Sequence, residues 1–226
     1  MRQNWAATGV KAGLAVEQAR RVNFQGIASV RHGLPAAMAD AAAGLASGPE
    51  SARLAALCDS RDLHRTVFAP LLPESLRGLA GTWRGTPGTA AESVARAVFV
   101  ARKAPGLRNR DMCMPPDQVA GEMERLAARL TAIWDAAPPP PDTAYAQLAE
   151  FTRDFFAIHP FVDGNGHVYR LLAPVLAARL GLSARADWTP HPRPYDHVMS
   201  LCLQWYPHHP DLLACYLRRW FDPARR

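Results

Sequence analysis

Apolar residues recur at helical spacing along most of the chain, and no alternating run longer than four residues appears anywhere. The clearest amphipathic stretch is Asp117–Trp134, where Val119, Met123, Leu126, Leu130 and Ile133 step by three and four. A shorter stretch, Asp62–Leu72, carries Leu63, Val67, Phe68, Leu71 and Leu72 on one face before Pro73 restarts the chain. Alanine-rich segments at 36–46 and 50–57 are separated by Ser47-Gly48-Pro49, and Gly85–Gly88 is a turn cluster. A helix over about Thr89–Lys103 ends at Pro105-Gly106, and 107–114 is short, polar and aperiodic. Pro138–Pro141 is a stiff extended linker. Beyond it the pattern predicts helices over Asp142–Ile158, Gly164–Leu180 with a stop at Gly181, Pro190–Tyr206 and His209–Phe221. These elements predict an all-α fold with room for one short hairpin. Residues 1–35 read as a peripheral arm or short helix, and 36–226 as one helical domain.

Composition narrows the class. At 226 residues, 49% apolar and 20% charged, the chain suits a folded domain with a real core. Its net charge of +6 is carried largely by scattered or terminal arginines, since Lys11 and Lys103 are its only lysines. No basic stripe interleaves with aromatics, so nucleic acid is not a favoured partner. Cys58, Cys113, Cys202 and Cys215 form no paired spacing, which argues for reduced thiols over a zinc site or disulfide framework. No run of eighteen apolar residues and no secretory leader pattern is present, so the expected location is the cytoplasm, away from membranes. Export by a route without that signature is the alternative.

The densest chemistry lies in His159-Pro-Phe-Val-Asp-Gly-Asn-Gly-His-Val-Tyr-Arg170, just ahead of an apolar helical run. A histidine, a carboxylate and a Gly-Asn-Gly turn at a helix start bring a base, a metal ligand and unpaired amides around one small volume. The local reading is a phosphate site with a proton acceptor beside it.

This segment resembles the signature of the Fic (Fic/Doc) family, His-x-Phe-x-Asp/Glu-Gly-Asn-Gly-Arg-x-x-Arg. Phe155-Phe156-Ala157-Ile158, Leu63-His64-Arg65 with Phe68, and Leu79-Ala80-Gly81-Thr82-Trp83-Arg84 extend the likeness over roughly 60–180. The resemblance implies a Fic-fold helical bundle with a short hairpin flap. It also implies transfer of part of a nucleotide, most often AMP from ATP, onto a Ser, Thr or Tyr hydroxyl of a target protein. His159 is then the base, Asp163 the Mg²⁺ ligand, and Gly164, Asn165, Gly166 and Arg170 the phosphate cradle. Each residue has a plainer alternative: His159 as a helix-end cap, Asp163 as an N-cap, Arg170 as a surface arginine. Phe161 reads as a core anchor.

His167 stands where the family has arginine, and its loss as a charged contact is expected to weaken phosphate binding by roughly 1.5–3 kcal/mol. That departure admits weaker use of ATP, a donor with different phosphate chemistry, or a site that binds without turnover. Residues 109–114 are the candidate flap, which would put Arg108 and Arg110 near the target. No glutamate is followed by Gly or Asn, so no cis-inhibitory helix is recognisable, and an inhibitory partner chain stays open. The pair His208-His209 reads as an exposed turn, and His191 and His197 lack zinc-site company. Trp188, Trp205, Tyr216 and Trp220 read as core of the C-terminal helices.

Overall fold

A computed structural model of the chain describes residues 23–92, 94, 114–195 and 198–224. The candidate flap up to residue 113, Arg108, Arg110, His197 and most of the helix expected at 89–103 lie outside these residues. Helical residues do begin at 90, as expected.

The helices are α1 (Ala28–Ser47), α2 (Glu50–Cys58), α3 (Arg61–Phe68), α4 (Glu74–Arg77), α5 (Val119–Asp135), α6 (Pro141–Ile158), α7 (Asn165–Arg179), α8 (Val198–Trp205) and α9 (Pro210–Leu217). A two-stranded antiparallel pair, β1 (Leu182–Ala184) with β2 (Phe221–Pro223), closes the C-terminal end. The fold is all-α, as the apolar spacing predicts. Strands of three residues, far apart in sequence, are too short to leave a readable alternation.

α6 and α7 form the centre. Leu148, Phe151 and Phe155 of α6 meet Val168, Tyr169, Leu172 and Leu176 of α7, all of them buried. Tyr169 sits among Phe151, Phe155, Phe156, Trp188 and Tyr195, and its hydroxyl pairs with that of Thr152 at 2.9 Å. Burial holds the Tyr169 phenol neutral by raising its pKa. α6 starts at Pro141, where a missing N–H costs nothing. α7 carries Pro174 inside it, which removes the helical donor for the Arg170 carbonyl. The indole Nε1–H of Trp188 replaces that donor at 3.1 Å.

Three expectations need correction. α1 begins at Ala28 and passes Pro35 without a break, because Val30, Leu34, Met38 and Ala41 form a continuous buried stripe. The segment 1–35, expected as an arm or short helix, therefore includes the first part of a core-packed helix. The helix expected from Pro190 is found at Val198–Trp205, since Pro190, Pro192 and Pro194 keep the chain at 190–195 out of helical conformation. Trp205 is 51% exposed and does not belong to the core, whereas Trp188 and Tyr216 do.

Candidate functional site

The motif loop runs from the C-terminus of α6 to the N-terminus of α7. α6 ends on His159 itself, in a left-handed conformation at φ 51 and ψ 62. A non-glycine residue there is strained by about 1 kcal/mol or more, so neighbouring structure must hold it. Arg84 does so. Its Nε donates to the His159 carbonyl at 2.5 Å, and its Nη2 to the carbonyls of Ile158 at 2.7 Å and Met114 at 2.5 Å. The Arg84 N–H adds a bond to the Pro160 carbonyl at 2.7 Å. One buried guanidinium thus satisfies carbonyls that a helix end leaves unpaired. The His159 imidazole remains half-buried, at the edge of the bundle. Met114, last residue of the candidate flap, also donates from its own N–H to the Ala157 carbonyl at 2.9 Å. The chain therefore emerges from that segment beside His159.

The other end of the loop is held from inside. Asn165 is buried, and its side chain accepts from the Phe161 N–H and donates to the Phe161 carbonyl, both at 2.8 Å. Phe161 is fully buried and stacks on His64 with ring centroids 4.0 Å apart, which makes it the anchor its sequence context suggests. His64 of α3 accepts from the Gly81 N–H through Nδ1 at 2.9 Å. Its proton must then sit on Nε2, which donates to the Asp163 carbonyl at 3.0 Å. Burial pushes the His64 pKa down to about 4, so this bracket is uncharged at neutral pH.

Gly164 is the N-cap of α7 at φ 81, and no side chain caps this helix. A Cβ there would fall 2.5 Å from Cε2 of Phe68, so the position admits only glycine. Among the described residues, the first-turn amides of Asn165 and Gly166 are left for an external acceptor, with the helix dipole behind them.

Asp163 Oδ1 accepts from the Gly164 N–H and Oδ2 from the Phe24 N–H, each at 2.7 Å. Phe24 belongs to a one-turn element, Phe24–Gly26, that precedes α1 and packs on His64 and Phe68. A half-buried carboxylate of this kind fits Mg²⁺, which takes one or two carboxylates and draws its other ligands from water and phosphate. Among the described residues no group of three or more His, Cys, Asp or Glu side chains could hold a metal alone.

His167 and Arg170 turn inward. His167 is buried, edge-on to Phe68 and parallel to His191 at 6.0 Å. Burial first, then the charges of Arg170 and His191, push its pKa down to about 3. It offers a neutral ring, not the charge that an arginine would bring. Arg170 is buried, with Nε donating to the Pro190 carbonyl at 2.7 Å and its guanidinium beside the Tyr195 hydroxyl. Desolvation lowers its pKa, and the delocalised guanidinium keeps its charge.

The structure therefore gathers His159, Asp163, Gly164, Asn165, Gly166, His167 and Arg170 on one loop and one helix turn, with unequal tasks. Asn165 is a clamp through its side chain and can meet phosphate only through its amide. In the sequence, His64 and Arg84 belong only to the upstream likeness, which gives them no task. Their signal is a histidine on an apolar helix face and an arginine in an otherwise apolar turn. Phe24 left no signal at all.

A helical bundle whose central helix starts on an uncapped glycine turn, with a histidine across the loop, is the architecture of the Fic fold. The Fic/DOC family model matches residues 58–177, and the chain belongs to that family. It is a Fic-type transferase in the general sense. No curated protein and no solved structure matches the chain.

Proposed function

We propose that this chain is a protein nucleotidyltransferase that moves a nucleoside monophosphate, AMP from ATP being the first choice, onto a Ser, Thr or Tyr hydroxyl of a target protein. The observation that carries this reading is the pairing of a half-buried His159, locked in place through its backbone, with the uncapped start of α7. The imidazole takes the proton of the target hydroxyl. The freed oxygen forms a bond to the α-phosphorus, the bond from that phosphorus to the bridging oxygen breaks, and pyrophosphate leaves. The amides of Asn165 and Gly166 offset the charge on the phosphates, and Arg170 lies one turn further along for the distal ones. Asp163 would hold Mg²⁺, which when bound supplies further positive charge against the triphosphate.

Transfer of label from α-³²P-ATP to candidate target proteins tests the reading, with His159→Ala as control. Labelling that is lost in the control supports it. Equal labelling in both proteins removes His159 from the mechanism. The intact mass of a modified target names the group transferred.

A second reading rests on His167. A neutral, buried ring in place of a guanidinium weakens the grip on distal phosphates, which favours a transferase of another phosphate-containing group or a nucleotide- or partner-binding protein without turnover. Calorimetry with Mg²⁺-ATP separates these, because binding without labelling identifies the latter.

A further inference from the structure

A cavity of about 360 Å³ lies between α1, α2, α7 and the segment at 188–190. It runs along α7 from Arg170 to Ala178, about 12 Å of helix, away from the glycine turn. His159, Asp163 and Gly164 do not line it. Its walls are apolar, with Leu45, Leu171, Pro174 and Trp188 the main surfaces. Among the described residues, two charged side chains reach it, Arg53 of α2 and Arg170 of α7. The size falls within the ordinary range for small-molecule sites, roughly 300–1,000 Å³.

Two independent facts point to a missing negative charge. Arg53 Nε is buried and has no hydrogen-bond partner among the described residues. Arg170 is buried against Pro190 and Tyr195 with no carboxylate beside it among those residues. Buried cations and buried donors are costly when left unmatched. Apolar walls exclude a sugar or a polyol, whose hydroxyls would find no partners.

We propose that this cavity is a binding site for a small organic carboxylate with an apolar body, its charge held by Arg53 and Arg170 and its body packed on Leu45, Leu171, Pro174 and Trp188. Resting on the function proposed above, the consequence is regulatory. Arg170 is shared by the cavity and the phosphate cradle, so an occupant that draws the guanidinium toward the cavity loosens the donor's distal phosphates.

Calorimetry of the full chain with octanoate tests the site, with octanol as the uncharged counterpart carrying the same body. Octanoate is expected to bind at least tenfold more tightly than octanol. Arg53→Ala is expected to weaken octanoate about tenfold. Ala42→Phe, which fills the cavity from α1, is expected to abolish binding while the helical circular dichroism spectrum is kept. No octanoate binding, equal affinity for octanoate and octanol, or octanoate affinity unchanged in both variants would overturn the proposal. So would full displacement of octanoate by ADP without metal, since the cavity would then be part of the nucleotide site. These readouts do not need transfer activity: failed protein labelling alongside octanoate binding would reject the proposed reaction and keep the site. If labelling is present, octanoate lowers apparent nucleotide affinity in the parent chain, and about tenfold more of it is needed to do so in Arg53→Ala.

Discussion

The two ends of the motif loop are fixed in opposite ways. At its entry, Arg84 reaches in from a distant turn and donates to backbone carbonyls, with the half-buried His159 side chain at the edge of the bundle. At its exit, side chains of the loop and its neighbours turn inward: Asn165 onto Phe161, His64 onto Asp163, Phe68 against Gly164. There the backbone amides are what remains for a ligand. An imidazole is presented at one end and a row of N–H donors at the other, and neither has to hold its own chain in place.

The largest effect on this contrast is expected from Arg84→Met, which empties the entry end. Three carbonyls lose a donor at once, and stability should fall by about 4 kcal/mol, less whatever water restores. The urea midpoint measures the loss. Arg84→Lys can serve one or two of the carbonyls and should recover part of it. Where both variants still fold, the proposed transfer should drop in kcat more than in KM, because His159 moves while the amides of α7 do not.

Gly164→Ala strikes the exit end instead. A left-handed φ and a Cβ driven into Phe68 together should cost about 3 kcal/mol. The expected signature is a lower urea midpoint at unchanged slope. If the alanine variant were as stable as the parent, the close approach of Phe68 to the turn would be refuted.

The bracket at His64 gives a pH dependence with a definite sign. Its folded pKa, about 4, lies below the 6.5 of the free side chain, so the unfolded chain binds more protons between those values. The stability associated with neutral His64 is fully present above pH 6.5 and is lost as pH falls toward 4. The loss is of order 2–3 kcal/mol for a shift of this size. Denaturation at a series of pH values should show stability rising with pH across that window. A His64→Gln variant, which keeps a donor and an acceptor without titrating there, should show a shallower rise. An equal slope in parent and variant would mean that His64 is charged or free in the folded chain.

Much of this arrangement is legible in the amino-acid sequence itself. The 3.6-residue spacing gives α3, α5, α6 and α7, and the motif alone places His159, Asp163 and Gly164–Gly166 on one loop. What spacing does not give is any contact made across the bundle. The partners of Arg84 lie 30 to 76 residues away, and that of Phe24 lies 139 away. Composition hides others: α1 is alanine-rich and contains a proline, so its buried stripe of Val30, Leu34 and Met38 stands out little from its surroundings. Polar residues at buried positions are the hardest to read. Asn165 and His167 sit where a phosphate contact would be expected, and only the fold tells that the side chain of one clamps the loop and that the other is an uncharged ring.

The smallest and most discriminating change is His167→Arg. Without a ligand, a second guanidinium would be buried close to Arg170, beside which no carboxylate lies among the described residues, so the variant should lose about 1 kcal/mol or more of stability and unfold at a lower temperature. A triphosphate supplies the missing charge, and Mg²⁺-ATP should therefore raise the melting temperature of the variant more than that of the parent. The two halves of this expectation belong together. A variant that is destabilised and not rescued would show that phosphates do not reach the first turn of α7, and the cradle reading of the exit end would fail. Rescue with a gain in ATP-dependent labelling identifies a weakened adenylyl transferase. Rescue with the loss of some other native transfer identifies a site re-tuned by histidine for a different donor.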